Sequence, residues 1–275
     1  LAPKELIGKS SLVVMGSEGR REQILKTDQD NALVVCNNAN VEDYRPYMNK
    51  IIETLVDFGY PKCEGNIMVS NPFWCKNVDE YEKETERWIE APDIQNYMDL
   101  AIFFDSFAVA GDKSLLIELK DHLFQKLHDK DVFLAYFAKA TLTFDTPSKI
   151  ANFMTTVHEI DIKKAGVFPI VQGIRSLSLR EKIRETTTVK RIKLLEQKNV
   201  LTHDISHELL EAFDVLGTLR LKSQIKQLQN NKKINNVLDT HTLGKIERDL
   251  LKDSFKIVID FKKFINHSFK IDKIS

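Results

Sequence analysis

Asp28 and Asp30 stand two residues apart, directly ahead of the apolar run Asn31-Ala32-Leu33-Val34-Val35-Cys36. In an extended chain side chains alternate, so residues two apart point to one face. Two carboxylates held that close repel unless a cation lies between them. An all-oxygen pair suits Mg²⁺ or Mn²⁺, with water and phosphate oxygens as the remaining ligands. Taken alone, the pair reads first as a polar turn in which Asp28 caps a local amide. Gly16-Ser17, twelve positions before Asp28, tips the balance toward the metal. It closes the apolar run Leu12-Val13-Val14-Met15. Glycine lets a backbone approach a phosphate closely. The N–H groups of a helix start, with the Ser17 hydroxyl, then offer donors to an anion. Arg20 and Arg21 follow, and a guanidinium there either reaches a triphosphate or pairs with Glu18 or Glu22.

A two-cation site for phosphoryl chemistry asks for a third carboxylate from a neighbouring strand. Asp105 answers to that, directly after the apolar run ending at Phe104, whereas Asp99 and Asp112 read as capping residues. Lys163, Lys164, Arg175 and Arg191 either neutralise phosphate across a cleft or belong to an ordinary charged helix surface. Thr188 reads as a helix N-cap. His203-Asp204 with His207 has the types for a transition-metal hydrolase, because HxxxH puts two imidazoles on one helix face. No further His or Asp completes that set, and Asp204 reads as an N-cap. Trp74 and Trp88 read as core packing.

The elements that must hold these residues follow from hydrophobic periodicity. Buried strands are expected over 12–15, 31–36 and 98–104, with a shorter extended piece over 65–70. A polar helix or turn is expected over 18–25. Helices are expected over 41–58, 79–89, 113–128 and 131–143, then near 148–158, 170–183, 188–198, 204–229 and 242–264. The fold class is therefore α+β: a small mixed sheet in the front half, then an all-helical half. Pro147 marks the boundary, giving domains 1–145 and 146–275.

The 275 residues correspond to about two domains at ~150 residues each. Apolar residues make up 43% and charged residues 29%, which excludes a disordered or fibrous chain. Lys and Arg number 40 against 40 Asp and Glu, so general coating of nucleic acid is not expected. No apolar run reaches the ~20 residues of a bilayer span, and no signal sequence is expected. Three cysteines, Cys36, Cys63 and Cys75, form no CxxC pair; each reads as a small apolar residue in a reducing cytoplasm. The start at Leu1 without a methionine fits an excised piece of a longer chain.

GSEGRREQ (16–23) with TDQDNALVV (27–35) resembles the Gly-Ser…Asp-x-Asp signature of the DNA polymerase beta-type nucleotidyltransferase superfamily. More narrowly, the chain resembles the nucleotidyltransferase domains related to protein-PII uridylyltransferase. Glu64 to Met68, Trp88-Ile89, Phe104-Asp105 and Ala110-Gly111-Asp112 extend the likeness. So, less specifically, do Asp161 to Gly166, Arg175, Thr186 to Arg191 and Leu219 to Gln224, which resemble that family's helical substrate-binding domain. The resemblance implies a nucleotidyltransferase-like domain over 1–145 and a substrate-binding domain over 146–275. It implies Asp28, Asp30 and Asp105 as catalytic and metal-binding, with Asp105 completing a second metal site and helping to deprotonate the acceptor. It implies Gly16, Ser17, Arg20, Arg21, Lys163 and Arg191 against an NTP, ATP or UTP. A regulatory acceptor protein, and upstream CBS or cyclic-nucleotide-binding domains, are the implied partners. Where that family often has arginine after the third acid and after the later glycine, this chain has Phe107 and Phe168. The departures leave open a nucleotide-sensing module without turnover.

Overall fold

The two apolar runs nearest the acidic pair become the centre of a four-stranded sheet. The computed structural model describes residues 2–25, 28–147 and 158–274. A short helix α1 (Lys4–Gly8) precedes β1 (Ser10–Val14), which pairs antiparallel with β2 (Asn31–Val35), Val13 opposite Ala32. Between them lies the single turn of α2 (Gly16–Gly19). All five residues of β2 are buried, as expected for a strand covered on both faces. On one face Leu33 and Val35 meet Met48 and Ile52 of α3 (Arg45–Asp57). On the other lie α4 (Val78–Glu90) and α6 (Ser114–Lys126).

The remaining strands are β3 (Cys75–Asn77), parallel to β2, and β4 (Phe107–Gly111), antiparallel to β1, in the order β3-β2-β1-β4. A bulge at Val109 shifts the register of β4 against β1. The apolar run expected as a strand over 98–104 is instead the second half of helix α5 (Ile94–Phe104). Asp93 starts it by accepting a hydrogen bond from the Asn96 N–H at 2.7 Å. Its buried residues, Asn96, Asp99, Leu100, Phe103 and Phe104, then fall at helical spacing. A seven-residue apolar stretch fits a buried helix face or a buried strand equally well. The segment over 65–70 is likewise turns rather than strand. Trp88 and Phe103 are fully buried and pack at 5.6 Å, with Trp74 and Tyr81 beside them.

The chain divides into two units: 1–130 with Arg184–Thr187, and Asp131–Ile183 with Thr188–Ser275. Pro147 falls inside the second. That unit is built from α7 (Asp131–Lys139), α8 (Phe168–Arg180), α9 (Thr188–Gln197), α10 (His203–Gln229) and α11 (Lys245–Phe269). α8 is buried from Pro169 to Leu179 and is the central helix. A π-helical turn, Lys163–Val167, leads into it. Among its described residues the strands form one two-stranded ladder of β5 (Glu159–Asp161) and β6 (Val237–Asp239), three-residue pieces too short to leave an alternation pattern. Thr202, not Asp204, caps α10, by accepting from the Ile205 N–H at 3.3 Å. The helix expected near 148–158 lies outside the described residues, apart from His158. No helix among the described residues is long and apolar enough to cross a membrane.

Candidate active site

Three segments of the first unit converge at the head of β2. The Asp28-Gln29-Asp30 piece is extended, and its exposure alternates: Asp28 exposed, Gln29 1% exposed, Asp30 half-buried. The two carboxylates therefore share a face, and Gln29 points inward. There its amide donates to the Tyr60 carbonyl at 3.3 Å and accepts from Asn31 Nδ2 at 3.3 Å. Asn31 in turn accepts from the Val69 N–H at 2.9 Å. Main-chain bonds finish the seam: Gln29 N–H to Pro61 at 3.1 Å and Asn31 N–H to Ile67 at 3.1 Å. The inward amides thus fasten the 60–69 loop alongside the outward acids, with Gln29 paired in parallel to Lys62.

That seam delivers a residue the sequence did not nominate. Oxygens of Asp28 and Asp30 and the sulfur of Cys63 lie within 4.8 Å of one another. Among the described residues this is the only group of three such side chains placed to share a cation. Cys63 is 8% exposed. Burial pushes its thiol up to about 11, N–H groups of Ile67 and Gly65 oppose the rise, and the charge of Asp30, to which the thiol donates, adds to it.

The Gly-Ser turn closes the other side. The Met15 N–H donates to the Asp30 carbonyl at 2.8 Å, which carries the β1–β2 ladder one step further. Gly16 adopts φ +54°, and a Cβ there would lie 2.4 Å from Asp30 Oδ2. Glycine is required twice over: for the left-handed backbone and for the approach of a carboxylate. Gly19 is equally constrained, since a Cβ would meet the Asp105 carbonyl at 2.2 Å. Ser17 is half-buried on the same turn. Glu18, also unannounced by spacing, has its carboxyl raised by burial first and by the negative charge of Asp30 second.

Asp105 is fully buried, and its carboxylate takes a different partner from the cluster: Arg20 Nη1 at 2.6 Å. Arg20 also meets Glu22 at 2.8 Å. Burial would discharge Arg20, but Asp105 and Glu22 outweigh it and raise its pKa. Asp105 caps the C-terminal end of α5 rather than following a strand. Arg21 extends over the ring of Phe107, 4.0 Å from its centroid. Asp112 does act as a cap, accepting from the Ser114 N–H at 2.9 Å. Asp99 is mid-helix, accepting from Gln95 at 2.9 Å. The other candidates belong to the second unit: Lys163 is exposed, Arg175 is buried, and Arg191 is fully buried in α9. His203 is exposed and pairs with Glu196 at 2.9 Å; its ring centroid lies 6.2 Å from that of His207. Neither histidine belongs to a three-residue metal group.

Residues 131–269 match the family described as "Putative nucleotidyltransferase substrate binding domain", and residues 2–95 match "Putative nucleotidyltransferase DUF294". The chain belongs to this nucleotidyltransferase family. Comparison with curated proteins gives no match. The nucleotidyltransferase match contains the Gly-Ser turn, both acids and Cys63 but stops short of Asp105. The donor set fits the divalent cation such enzymes use: two carboxylates on one face and a glycine cleared to their side.

Proposed function

We propose that the chain is a Mg²⁺-dependent nucleotidyltransferase that moves a nucleoside monophosphate from ATP or UTP to a hydroxyl on a regulatory protein, as in PII uridylylation. The observation that carries this reading is the convergence of Gly16, Asp28 and Asp30, with Asp30 Oδ2 occupying the space a Cβ at Gly16 would fill. Asp28 and Asp30 hold the cation. When bound, the cation neutralises phosphate oxygens and so supplies most of the barrier lowering. Gly16 and Ser17 present backbone and hydroxyl to the outer phosphates. The acceptor oxygen bonds to the α-phosphorus, its bond to the β-phosphate oxygen breaks, and pyrophosphate leaves as the hydroxyl proton is lost. The helical unit presents the acceptor, and upstream CBS or cyclic-nucleotide-binding domains supply the regulatory input.

Asp105 enters this reading through Arg20, whose ion pair anchors the turn that carries Gly16. The same ion pair favours a second reading, a nucleotide sensor without turnover, because it engages the third acid.

The test is calorimetric titration of the chain with ATP, UTP, GTP and CTP, with and without Mg²⁺, against an Asp28→Ala/Asp30→Ala variant. One nucleotide should bind in a Mg²⁺-dependent manner, and the variant should lose it. Equal binding by both forms would sink the reading. Pyrophosphate release separates transferase from sensor.

A further inference from the structure

We propose that Cys63 is a ligand of this cation site, which makes it an Asp₂Cys centre that takes thiophilic divalent ions such as Zn²⁺ or Cd²⁺ as well as Mg²⁺. The inference rests on the cation reading above and adds to it a ligand and a metal class.

Position is the first argument. The sulfur and the two carboxylate oxygens lie within 4.8 Å of one another. Neighbouring ligands on one ion with bonds of ~2.0–2.3 Å lie roughly 3–4 Å apart, so an adjustment of about 1 Å in the side chains closes the set. Nor is the placement accidental to the backbone. The Gln29–Lys62 pairing and the bonds from Gln29 and Asn31 to the 60–69 loop hold position 63 beside position 30.

Chemistry is the second. Cys63 is 8% exposed, so its sulfur sits beside the two carboxylates and largely away from bulk water. Mg²⁺ prefers oxygen and leaves the thiol protonated, donating to Asp30. A softer ion displaces that proton to solvent and forms a metal–sulfur bond without any redox change. The centre therefore has two modes, an oxygen-only one and a thiolate one.

Cadmium reports the thiolate mode directly through its ultraviolet charge-transfer band. The full chain titrated with Cd²⁺ should develop the band with saturation at one equivalent. Cys63→Ser should abolish it and weaken Cd²⁺ binding by at least ~10-fold. In a Cys36→Ser/Cys75→Ala variant Cys63 is the sole thiol, and the band should persist; this arm leaves the residue in question untouched. A band that survives Cys63→Ser, or vanishes when only Cys63 remains, overturns the inference. If Mg²⁺ binds through Asp28 and Asp30 but Cd²⁺ gives no thiolate band, the sulfur inference alone falls. If Asp28→Asn/Asp30→Asn leaves Mg²⁺ binding unchanged, the cation reading falls with it.

Discussion

At position 16 there is no room for a methyl group, because Asp30 Oδ2 already fills the space. Gly16→Ala also places a side chain at φ +54°, which costs on the order of 1–2 kcal/mol. The substitution should lower Mn²⁺ affinity at least ~10-fold, since one of the two carboxylates must move away. Titration of the variant checks this, and unchanged affinity would show that Asp30 binds nothing. Arg20 makes a different kind of prediction. Arg20→Met strands the Asp105 carboxylate, 0% exposed, without its ion-pair partner. Breaking a buried pair from one side typically costs ~3–5 kcal/mol, whereas replacing both partners with apolar residues is often nearly neutral. Urea unfolding should show a large loss for Arg20→Met and a much smaller one for Arg20→Met/Asp105→Leu. Equal losses would mean that the pair is not what holds α2 to the end of α5.

At the scale of elements, α5 is the informative case. Asp93→Ala removes its N-cap and should cost about 1 kcal/mol. Asp99, inside the same helix, has its carboxyl raised above the usual 3.8, chiefly by burial. A raised carboxyl adds stability below 3.8 and loses it as pH rises through the folded value. Asp99→Asn should therefore be more stable than the parent at neutral pH, with the advantage shrinking as pH falls through the folded value toward 3.8, as thermal melts across that range would show. The strands β1 and β2 were legible because their apolar runs end at Gly-Ser and begin after Asp-x-Asp, punctuation that a helix would not tolerate. α5 was not, because Met98 to Phe104 is apolar at all but Asp99 and too short to show a period, and only Asp93, five residues earlier, declares a helix. β4 was hidden by its own Gly111-Asp112, which reads as a turn, and β3 is three residues long. The site divides the same way. Asp28 and Asp30 are neighbours in sequence and are nominated by spacing. Cys63, and the bond between Arg20 and Asp105, depend on pairings across tens of residues, for which one sequence has no local signal.

For the whole molecule, 40 basic and 40 acidic side chains cancel at neutral pH. Self-repulsion is weakest there, so solubility in a precipitant series should pass through a minimum near neutrality and rise on either side. A flat profile would point instead to a strongly asymmetric surface. The division into units carries a consequence for how such proteins recombine. Arg184–Thr187 belongs to the first unit, although it is threaded between helices of the second. Within that unit Arg184 Nε donates to Asp121 at 2.8 Å. Swapping everything after position 130 for the matching stretch of another family member would exchange a piece of the first unit as well. Such hybrids inherit a four-residue graft whose fit to α6 is decided at Asp121, so the two halves can be shuffled only when that graft travels with its own host.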